Sequence, residues 1–441
     1  MKYLSVKKTR ELKGEVEIDG SKNAALPIMA ACLLTSDECQ LNNIPEIDDV
    51  KVMLEIIESL GAKVHWDKAK KTIFIKAEKI SKIEPISSLL EKMRASFLIA
   101  GPMLARFGKA KLSLPGGCAI GTRPINMHIK GFYDLGAHYI EKKSTEESYV
   151  FLRANSIKGK ALYLDYPSVG TTENLIMVSV FTEGVTVLEN VAKEPEIVDL
   201  AIFLNKMGAK ISGTGTDTIR IVGVKALNGT VHNVIPDRIE AATYIVAGAI
   251  TKSNIIVKNL IVKHIQPLIA KLEDIGVNFE KIEDGEKENL KINAKGKSFL
   301  PVNITTLPYP GFPTDLQSLM MPLLTTINGE SEIVETVFEN RFMQAEQLIK
   351  MGADIEIEGE VAKIFGAGNL KGCSVRATDL RSGAGLILAG LFAEGETKIF
   401  DIFHIERGYA EFEKKFKTLL AKIAIKELKS PSYDENAKTI R

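Results

Sequence analysis

The residues with the clearest chemical potential surround a single cysteine. Cys118 lies in the run 114–124 (LPGGCAIGTRP), whose three glycines and two prolines are incompatible with a helix or a long strand. Arg123 follows five residues later, and a nearby guanidinium can make a loop thiol reactive. A free cysteine is more often an inert apolar side chain of the core. The loop alone therefore leaves both interpretations open.

Basic side chains stand at the predicted starts of several apolar helices. They are Lys22, with Asn23 beside it, Arg94, Arg238 and Arg381. A cation at a helix N-terminus opposes the helix dipole, whereas an anion there is favoured. Because helix N-termini and guanidinium groups both bind phosphate, the pattern predicts a multiply anionic ligand in a cleft between two sets of helix ends.

Hydroxyl and acidic side chains stand at other helix starts, where N-capping is the simplest interpretation. Capping accounts for Thr171, Thr172 and Asp237. Asp315 follows a rigid Pro-Gly-Phe-Pro turn and has two interpretations, a helix cap or a general base. Ser168, in a turn before a helix, is equally open to a structural or a ligand-binding role.

Two further arginines are ambiguous from the sequence. Arg407, next to Gly408, could form a surface ion pair, which would contribute little, or face a ligand. Arg341 lies in the segment Phe338–Phe342, which places charge inside an apolar stretch. Neither pattern decides between a structural and a functional role.

A short signature recurs six times and indicates the elements that position these residues. A helical stretch ends in Leu/Met/Ile-Gly-Ala/Val and a strand follows; the glycines are Gly61, Gly136, Gly208, Gly276 and Gly352, and a degraded copy has Leu420. The steps between these positions are 75, 72, 68, 76 and 68 residues. Glycine commonly follows a helix end, and regular recurrence predicts a repeated supersecondary unit.

Each unit also contains an earlier helix that is apolar on nearly all sides, which predicts burial. These six helices are predicted at 24–34, 95–107, 175–182, 239–250, 316–326 and 383–392. The later helices, such as those at 50–60 and 341–350, alternate apolar and charged residues and should be half exposed. Six units divide into three and three, with the break predicted near 228–237.

Composition excludes several classes of protein. The chain has 441 residues, is 45% hydrophobic, and balances 57 Lys and Arg against 56 Asp and Glu, so a nucleic-acid coat or a polybasic membrane patch is not expected. No apolar run reaches the length of a membrane span, and the first twenty residues lack the apolar region of a signal peptide. Four cysteines without disulfide spacing predict a reducing cytoplasm, and six unpaired histidines predict no metal site.

Several motifs together resemble one enzyme family. They are 20–26 (GSKNAAL), 93–96 (MRAS), the Cys118 loop, 167–170 (PSVG), 194–199 (EPEIVD), 310–315 (PGFPTD), 338–342 (FENRF), 379–381 (DLR) and 405–409 (IERGY). In order and spacing, from about residue 1 to 409, they are similar to the UDP-N-acetylglucosamine 1-carboxyvinyltransferases of the EPSP synthase superfamily. Departures are Leu420 and a charged tail after Ile425.

The resemblance implies an α/β fold of two inside-out α/β barrels, each of three repeats around buried helices, with the active site in the cleft between them. It places residues 22–235 in the first domain, with the Cys118 loop. Residues 1–21 and 236–441 form the second, so the chain crosses between domains twice.

The resemblance also implies a reaction. Enolpyruvyl passes from phosphoenolpyruvate to the 3′-hydroxyl of UDP-N-acetylglucosamine by addition and elimination through a tetrahedral phospho-ketal, and phosphate is released. This opens peptidoglycan synthesis and requires no metal or other cofactor. Cys118 is implied as the acid that protonates the alkene and as the thiol alkylated by fosfomycin, on a loop expected to close over the cleft. Asp315 is implied as the base.

Substrate contacts are implied for further residues. Lys22, Arg123 and Arg407 would hold the phosphate and carboxylate, with Arg94, Arg341, Asp379 and Arg381 nearby. The positions that match UDP-sugar contacts are Asn23, Arg94, Arg123, Pro124, Ile125, Asn126, Met127, Tyr166, Pro167, Ser168, Val169, Asp315 and Val337.

Three alternatives are weighed against this assignment. The sister enzyme 3-phosphoshikimate 1-carboxyvinyltransferase shares the fold and the donor, but the Cys118 loop and the UDP-sugar positions favour the first family. A DNA clamp of six repeated units would need basic helices lining its cavity, and these helices are apolar. An inactive regulator is not favoured, because every catalytic position is filled.

Overall fold

The computed structural model describes residues 2–90, 93–113, 125–143, 148–285 and 287–428. Short strands dominate the described chain. In chain order they are β1 (Lys2–Lys7), β2 (Glu15–Glu17), β3 (Glu38–Asn42), β4 (Lys63–Asp67), β5 (Thr72–Lys76), β6 (Lys109–Ser113), β7 (His138–Lys143), β8 (Ser148–Arg153), β9 (Ala161–Tyr163), β10 (Val185–Glu189), β11 (Lys210–Ser212), β12 (Thr218–Val222), β13 (Val231–Asn233), β14 (Asn254–Leu260), β15 (Asn278–Asp284), β16 (Lys287–Asn293), β17 (Ile304–Thr305), β18 (Gly329–Val334), β19 (Asp354–Glu358), β20 (Val361–Gly366), β21 (Ser374–Arg376), β22 (Glu396–Phe400) and β23 (Lys422–Glu427).

The described strands form six small sheets, one for each predicted repeat. Their strand orders are β13-β3-β5-β4, β6-β8-β7, β11-β12-β10-β9, β15-β16-β14-β2, β17-β18-β20-β19 and β21-β22-β1-β23. In all but the second sheet an edge strand pairs in parallel with its neighbour, while the other pairings are antiparallel. Strands β1 and β2 join sheets of the last and fourth repeats, as the resemblance implies.

The helices are of two kinds, and the inner kind is buried. The inner helices are α1 (Lys22–Ala31), α4 (Ala100–Phe107), α6 (Val169–Ser179), α8 (Arg238–Ile250), α10 (Thr314–Thr325) and α12 (Leu380–Phe392). Every residue of α8 is buried, and in α12 all but the ends are. Because a helix that is apolar all round needs apolar neighbours on every side, each of these helices lies inside a ring of sheets and outer helices.

The outer helices are amphipathic. They are α2 (Asp48–Ser59), α5 (Asn126–Asp134), α7 (Pro195–Lys206), α9 (Gln266–Ile275), α11 (Met343–Lys350) and α14 (Phe412–Thr418). Two short helices, α3 (Ser87–Leu90) and α13 (Phe403–Glu406), and the 3₁₀ turns Cys32–Leu34, Arg94–Ile99 and Val262–Ile265 complete the described helices. The predicted arrangement of two inside-out α/β barrels is confirmed.

Buried apolar side chains form two separate clusters. One extends from Ala24 to Val234 and includes Ala410, and the barrel around it is called the first barrel. The other joins residues 4–18 to residues 239–423 and lies in the second barrel. The chain passes from one cluster to the other within 18–24 and again within 234–239.

The two crossing segments are paired with each other. The backbone N–H of Asp237 donates to the carbonyl of Asp19 at 2.8 Å, and that of Ser21 donates to Ile235 at 2.7 Å. Gly20 lies between these bonds, and a Cβ there would stand 1.7 Å from the Asn43 carbonyl oxygen. Only glycine allows this approach, which fixes the helix start at residue 22 beside the helix start at residue 238.

The repeated glycine ends an outer helix in five of the six units. Gly352 has φ +95°, its N–H donates to the Ile349 carbonyl, and the next N–H donates to Leu348. Leu420 has φ +63° and makes the same pair of bonds, to Lys417 and, through the next residue, to Phe416. The sixth helix therefore ends as the others do, although a leucine occupies a conformation that favours glycine.

Candidate active site

Lys22 and Arg407 come from different barrels and meet at one carboxylate. Lys22 begins α1, and its Nζ lies 3.1 Å from Asp49 Oδ2. Arg407 follows α13, and its Nε lies 2.9 Å from Asp49 Oδ1. The Asp49 side chain is 5% exposed, against 14% for Lys22 and 37% for Arg407. Burial favours the neutral form of Asp49, but Lys22 and Arg407 outweigh it and lower the Asp49 pKa.

The backbone of Lys22 is held by the second barrel. Its N–H donates to Asp237 Oδ2 at 3.1 Å, and the other Asp237 oxygen caps α8 by accepting from the N–H groups of Ile239 and Glu240. Ser21 caps α1 by accepting from the Ala24 N–H. The capping role predicted for Asp237 is thus confirmed, and the same side chain ties two helix starts together.

Asp315 is held by two buried arginines. Its Oδ1 accepts from Arg341 Nη2 at 2.8 Å, and its Oδ2 lies 3.1 Å from Arg381 Nη2 and 3.2 Å from Arg381 Nε. The arginine side chains are 3% and 5% exposed, whereas that of Asp315 is 27% exposed. The N-cap residue of α10 is Pro313, which makes no side-chain capping hydrogen bond. The capping interpretation of Asp315 is therefore wrong, because its carboxylate turns to the guanidinium groups.

Arg381 has a support of its own. Asp379 caps α12 in a capping box with Ser382, and this sets the direction of the first turn. Arg381 Nη1 lies 3.4 Å from the hydroxyl of Tyr409, which is 2.8 Å from Thr243 Oγ1. Burial disfavours the charge of Arg381, but Asp315 and Tyr409 outweigh it and raise its guanidinium pKa. Tyr409 lies two residues after Arg407, so this short segment contacts both the Asp49 cluster (Asp49, Lys22 and Arg407) and the Asp315 cluster (Asp315, Arg341 and Arg381).

A third contact between the barrels involves Arg238. Its Nε donates to Glu196 Oε1 at 2.9 Å, with side chains 9% and 3% exposed. Burial, opposed by Arg238 and assisted by Glu196, raises the pKa of Glu194 to about 6. Burial and the same two glutamates raise the pKa of Glu173 well above its usual value. Arg238 thus interacts with two of the three glutamates, Glu196 and Glu194.

The basic residues predicted at helix starts are therefore paired within the protein where their side chains are described. Lys22, Arg238 and Arg381 meet Asp49, Glu196 and Asp315 respectively. The sequence pattern predicted that these cations bind the anionic groups of a ligand, and the structure shows that they also bind carboxylates of the protein itself. Each of these cations still stands at the N-terminal end of a buried helix.

The positions matched to the UDP-sugar lie at element starts. Asn23 is in the first turn of α1, and Ile125, Asn126 and Met127 begin α5. Val337 lies after β18, where its N–H donates to Glu335 Oε1 at 2.9 Å. The other oxygen of Glu335 accepts from Thr314 at the start of α10.

Tyr166, Pro167, Ser168 and Val169 lead into α6. Ser168 is its N-cap and accepts from the Thr171 N–H at 3.4 Å. The predicted capping by Thr171 and Thr172 is wrong, because the helix begins earlier than its apolar run. Thr172 instead accepts from the Ala192 N–H at 3.2 Å.

Three predicted site residues, Cys118, Arg123 and Pro124, lie outside the described residues. Arg94 begins a 3₁₀ turn, but its side chain is also outside the description. Within the described ranges no helix is both long and apolar enough to cross a bilayer. In the same part of the chain, no group of three or more His, Cys, Asp and Glu side chains could hold a metal ion.

Sequence reasoning missed Asp49, Glu196 and Tyr409 as parts of this site. Asp49 is the second of two aspartates at the start of α2, a common place for acidic residues on a surface helix. Its partners are 27 and 358 residues away, so no local spacing could identify it. Glu196 lay within a motif that carried the resemblance but had no assigned role.

Known proteins share both sequence and fold with this chain. Residues 6–416 match the family EPSP synthase (3-phosphoshikimate 1-carboxyvinyltransferase). UDP-N-acetylglucosamine 1-carboxyvinyltransferase 1 of Caldanaerobacter subterraneus subsp. tengcongensis is 54% identical over 418 residues, which are 95% of this chain and 98% of that protein. The Finegoldia magna UDP-N-acetylglucosamine 1-carboxyvinyltransferase is 51% identical over 424 residues, covering 96% and 98%.

Two solved structures support the fold. The enolpyruvyl transferase NikO from Streptomyces tendae has a TM-score of 0.86 at 24% identity and covers 96% of this chain and 98% of its own. EPSP synthase from Acinetobacter baumannii has a TM-score of 0.75 at 16% identity, covering 97% and 100%. The fold is thus common to several enolpyruvyl transferases, whereas the high identities single out one group. This chain belongs to the UDP-N-acetylglucosamine 1-carboxyvinyltransferase family, within the wider EPSP synthase family.

Proposed function

We propose that the protein transfers enolpyruvyl from phosphoenolpyruvate to the 3′-hydroxyl of UDP-N-acetylglucosamine and releases phosphate, in the first committed step of peptidoglycan synthesis. The observation that carries the proposal is the pair of clusters at helix starts. One presents the cations Lys22 and Arg407, and the other presents the carboxylate of Asp315. An anionic donor and a hydroxyl acceptor need both kinds of group, and the segment from Arg407 to Tyr409 contacts both clusters.

Asp315 is the base of this proposal. Two arginines hold both of its oxygens, and its partial exposure leaves it accessible to solvent. It would take the proton of the acceptor hydroxyl as the new C–O bond forms at the donor's second carbon. In the elimination step the phospho-ketal gives a methyl proton back to the Cys118 thiolate, and its phosphate leaves with the proton that Asp315 accepted. The double bond and both side chains are thereby restored.

The donor's negative charge needs compensation in both steps. Lys22 and Arg407 are proposed to hold its phosphate and carboxylate together with Arg123, with Arg94, Arg341, Asp379 and Arg381 close to the site. Each charge-assisted hydrogen bond contributes about 1.5–3 kcal/mol. The lysine and arginine side chains of this set supply the positive charge that a metal provides in other phosphate-binding enzymes, and the proposal includes no cofactor.

Cys118 is proposed as the acid that protonates the donor's methylene carbon. Its thiol is then expected to react with fosfomycin, the electrophile that alkylates the corresponding thiol in this family. Mass spectrometry after inactivation should find the adduct on the peptide that contains Cys118. An inactivated enzyme with an unmodified Cys118 peptide would refute this role.

The acceptor is proposed to contact the remaining predicted positions. They are Asn23, Arg94, Arg123, Pro124, Ile125, Asn126, Met127, Tyr166, Pro167, Ser168, Val169, Asp315 and Val337. Those that are described lie at the starts of α1, α5, α6, α10 and the 3₁₀ turn Arg94–Ile99, or after β18, which supports a ligand lying across several helix ends.

The domain boundaries remain predictions at 22–235 for the first domain and 1–21 with 236–441 for the second. The two apolar clusters and the paired crossing segments support them. We also propose a cytoplasmic location and no nucleic-acid or membrane partner, because the substrates are nucleotide and metabolite and charge is balanced.

Phosphate release with each acceptor tests the proposal. Purified protein is given phosphoenolpyruvate with either UDP-N-acetylglucosamine or shikimate 3-phosphate, and inorganic phosphate is measured. Release is expected only with UDP-N-acetylglucosamine. Release only with shikimate 3-phosphate would identify the sister activity instead, and release with neither would refute an enolpyruvyl transferase.

A further inference from the structure

We propose that Asp49 is a positioning residue for the donor's anionic groups: it holds Lys22 and Arg407, from opposite barrels, in the arrangement that binds phosphoenolpyruvate. This inference rests on the proposed function, because it takes Lys22 and Arg407 as donor-binding groups. Asp49 matched none of the motifs used to predict substrate contacts.

The hydrogen bonds divide the Asp49 carboxylate between the two barrels. Oδ2 lies 3.1 Å from Lys22 Nζ, and Oδ1 lies 2.9 Å from Arg407 Nε. With both oxygens occupied and its side chain 5% exposed, Asp49 has little capacity to contact a ligand itself. Its geometry suits a support that joins two other groups.

The same bonds leave ligand-binding donors available. Arg407 uses only its Nε for Asp49, and among the residues described its two Nη groups have no hydrogen-bond partner. Those groups can form the paired bonds that a guanidinium makes with phosphate or carboxylate. Lys22 carries three N–H donors and gives one to Asp49.

A positioning role and a purely electrostatic role predict opposite effects of removing the Asp49 charge on donor binding. A negative charge beside two cations weakens their attraction for an anionic donor, so its removal alone should strengthen donor binding. If Asp49 instead fixes the two cations, its removal lets them repel each other across the interface and weakens donor binding. The direction of the change therefore separates the two roles.

The experiment is steady-state phosphate release by Asp49→Asn, with phosphoenolpyruvate and UDP-N-acetylglucosamine varied in turn. An amide oxygen can accept from one cation, while the amide NH₂ faces the other. We expect the KM for phosphoenolpyruvate to rise roughly ten- to a hundredfold, as the loss of a charge-assisted bond implies. The KM for UDP-N-acetylglucosamine should stay at the wild-type value, which a general structural defect would not produce.

Asp48→Asn is the matched control. Asp48 is the neighbouring residue of α2, its side chain is 45% exposed, and it pairs with Lys51 on the surface. The control removes the same charge from the same helix turn and should leave both KM values unchanged. A control that raised the donor KM equally would overturn the inference.

The remaining outcomes are also decisive. An unchanged or lower donor KM in Asp49→Asn would overturn the inference while wild-type activity upheld the proposed function. An inactive wild-type protein would instead refute the function. If Asp49→Asn melts below the assay temperature, Asp49→Glu replaces it, since it keeps the charge but displaces the oxygens by one methylene. The same selective rise is then expected, and an unchanged donor KM would overturn the inference.

Discussion

The Asp49 cluster and the Asp315 cluster contain the same kinds of side chain, but a different kind is exposed in each. Each consists of one carboxylate bonded to two cations at the start of a buried helix. In the Asp49 cluster the carboxylate is buried and its cations, Lys22 and Arg407, are more exposed. In the Asp315 cluster both arginines are buried and the carboxylate is the exposed member.

This inversion indicates which member of each cluster acts on substrate. A side chain that is buried and fully bonded serves as support, whereas an accessible side chain with its orientation fixed can bind or react. The Asp49 cluster therefore offers positive charge to an anion, and the Asp315 cluster offers a base to a hydroxyl group.

Replacing the exposed carboxylate should have the largest effect. Asp315→Asn removes the base but keeps the shape, so kcat is expected to fall about 100- to 10,000-fold. Phosphate release under saturating substrates measures it, and Asp354→Asn, an exposed aspartate at the start of β19, is the control. Wild-type kcat in Asp315→Asn would remove the distinction between the two clusters.

Stability should distinguish the buried and exposed cations. Arg381→Gln removes one of the two arginine partners of Asp315 and leaves a buried space where the guanidinium was. We therefore expect a loss of about 3 kcal/mol in the free energy of unfolding. Arg407→Gln should cost less stability, because its side chain is 37% exposed. Denaturant unfolding measures both, with Arg376→Gln, 59% exposed, as the control. Equal losses from the first two variants would contradict the assigned supports.

The group around Arg238, the third contact between the barrels, predicts that the free energy of unfolding depends on pH. This effect does not involve the catalytic residues. Burial, opposed by Arg238 and assisted by Glu196, raises the pKa of Glu194 from 4.5 to about 6. The folded protein then binds more protons than the unfolded chain between these values, so Glu194 should lower stability by about 2 kcal/mol as pH rises through that window.

Glu194→Gln should abolish this part of the pH dependence, as measured by unfolding at several pH values between 4 and 7. Glu189→Gln, at the exposed end of β10, should follow the wild-type curve. If the Glu194 variant also followed it, the buried carboxyl group would not have the raised pKa.

The smallest effect is expected from Leu420→Gly, which changes stability but touches neither the Asp49 nor the Asp315 cluster. Leu420 is 62% exposed and has φ +63°, so Leu420→Gly relieves backbone strain and loses little burial. We expect a gain of about 1 kcal/mol in unfolding free energy with unchanged kcat and KM. Gly352→Leu, the reverse change in the preceding repeat, should lose stability. A loss in both variants would contradict the shared helix ending.

Much of the fold was predictable because it repeats local chemistry. The left-handed conformation after an outer helix favours glycine, and the apolar inner helices need enclosure, so both leave regular traces in the sequence. Leu420 interrupts the trace but not the structure.

The site was less predictable because its contacts join distant positions. Asp49 and Arg407 are 358 residues apart, and nothing in either local sequence indicates the other. Thr171 and Thr172 suggested a cap, yet the hydroxyl of Ser168, which stands before the apolar run, performs it. Most helix starts could be located only approximately from the sequence, and the choice of partner depended on how the two barrels meet.

Asp49→Asn and Asp315→Asn should differ in which kinetic constant changes, and phosphate release by the two variants, measured side by side, shows the difference. We predict that Asp315→Asn lowers kcat with little change in the KM for phosphoenolpyruvate, because the exposed carboxylate reacts. Asp49→Asn should raise that KM selectively, because the buried carboxylate positions the donor's cations. The same signature in both variants would contradict the account.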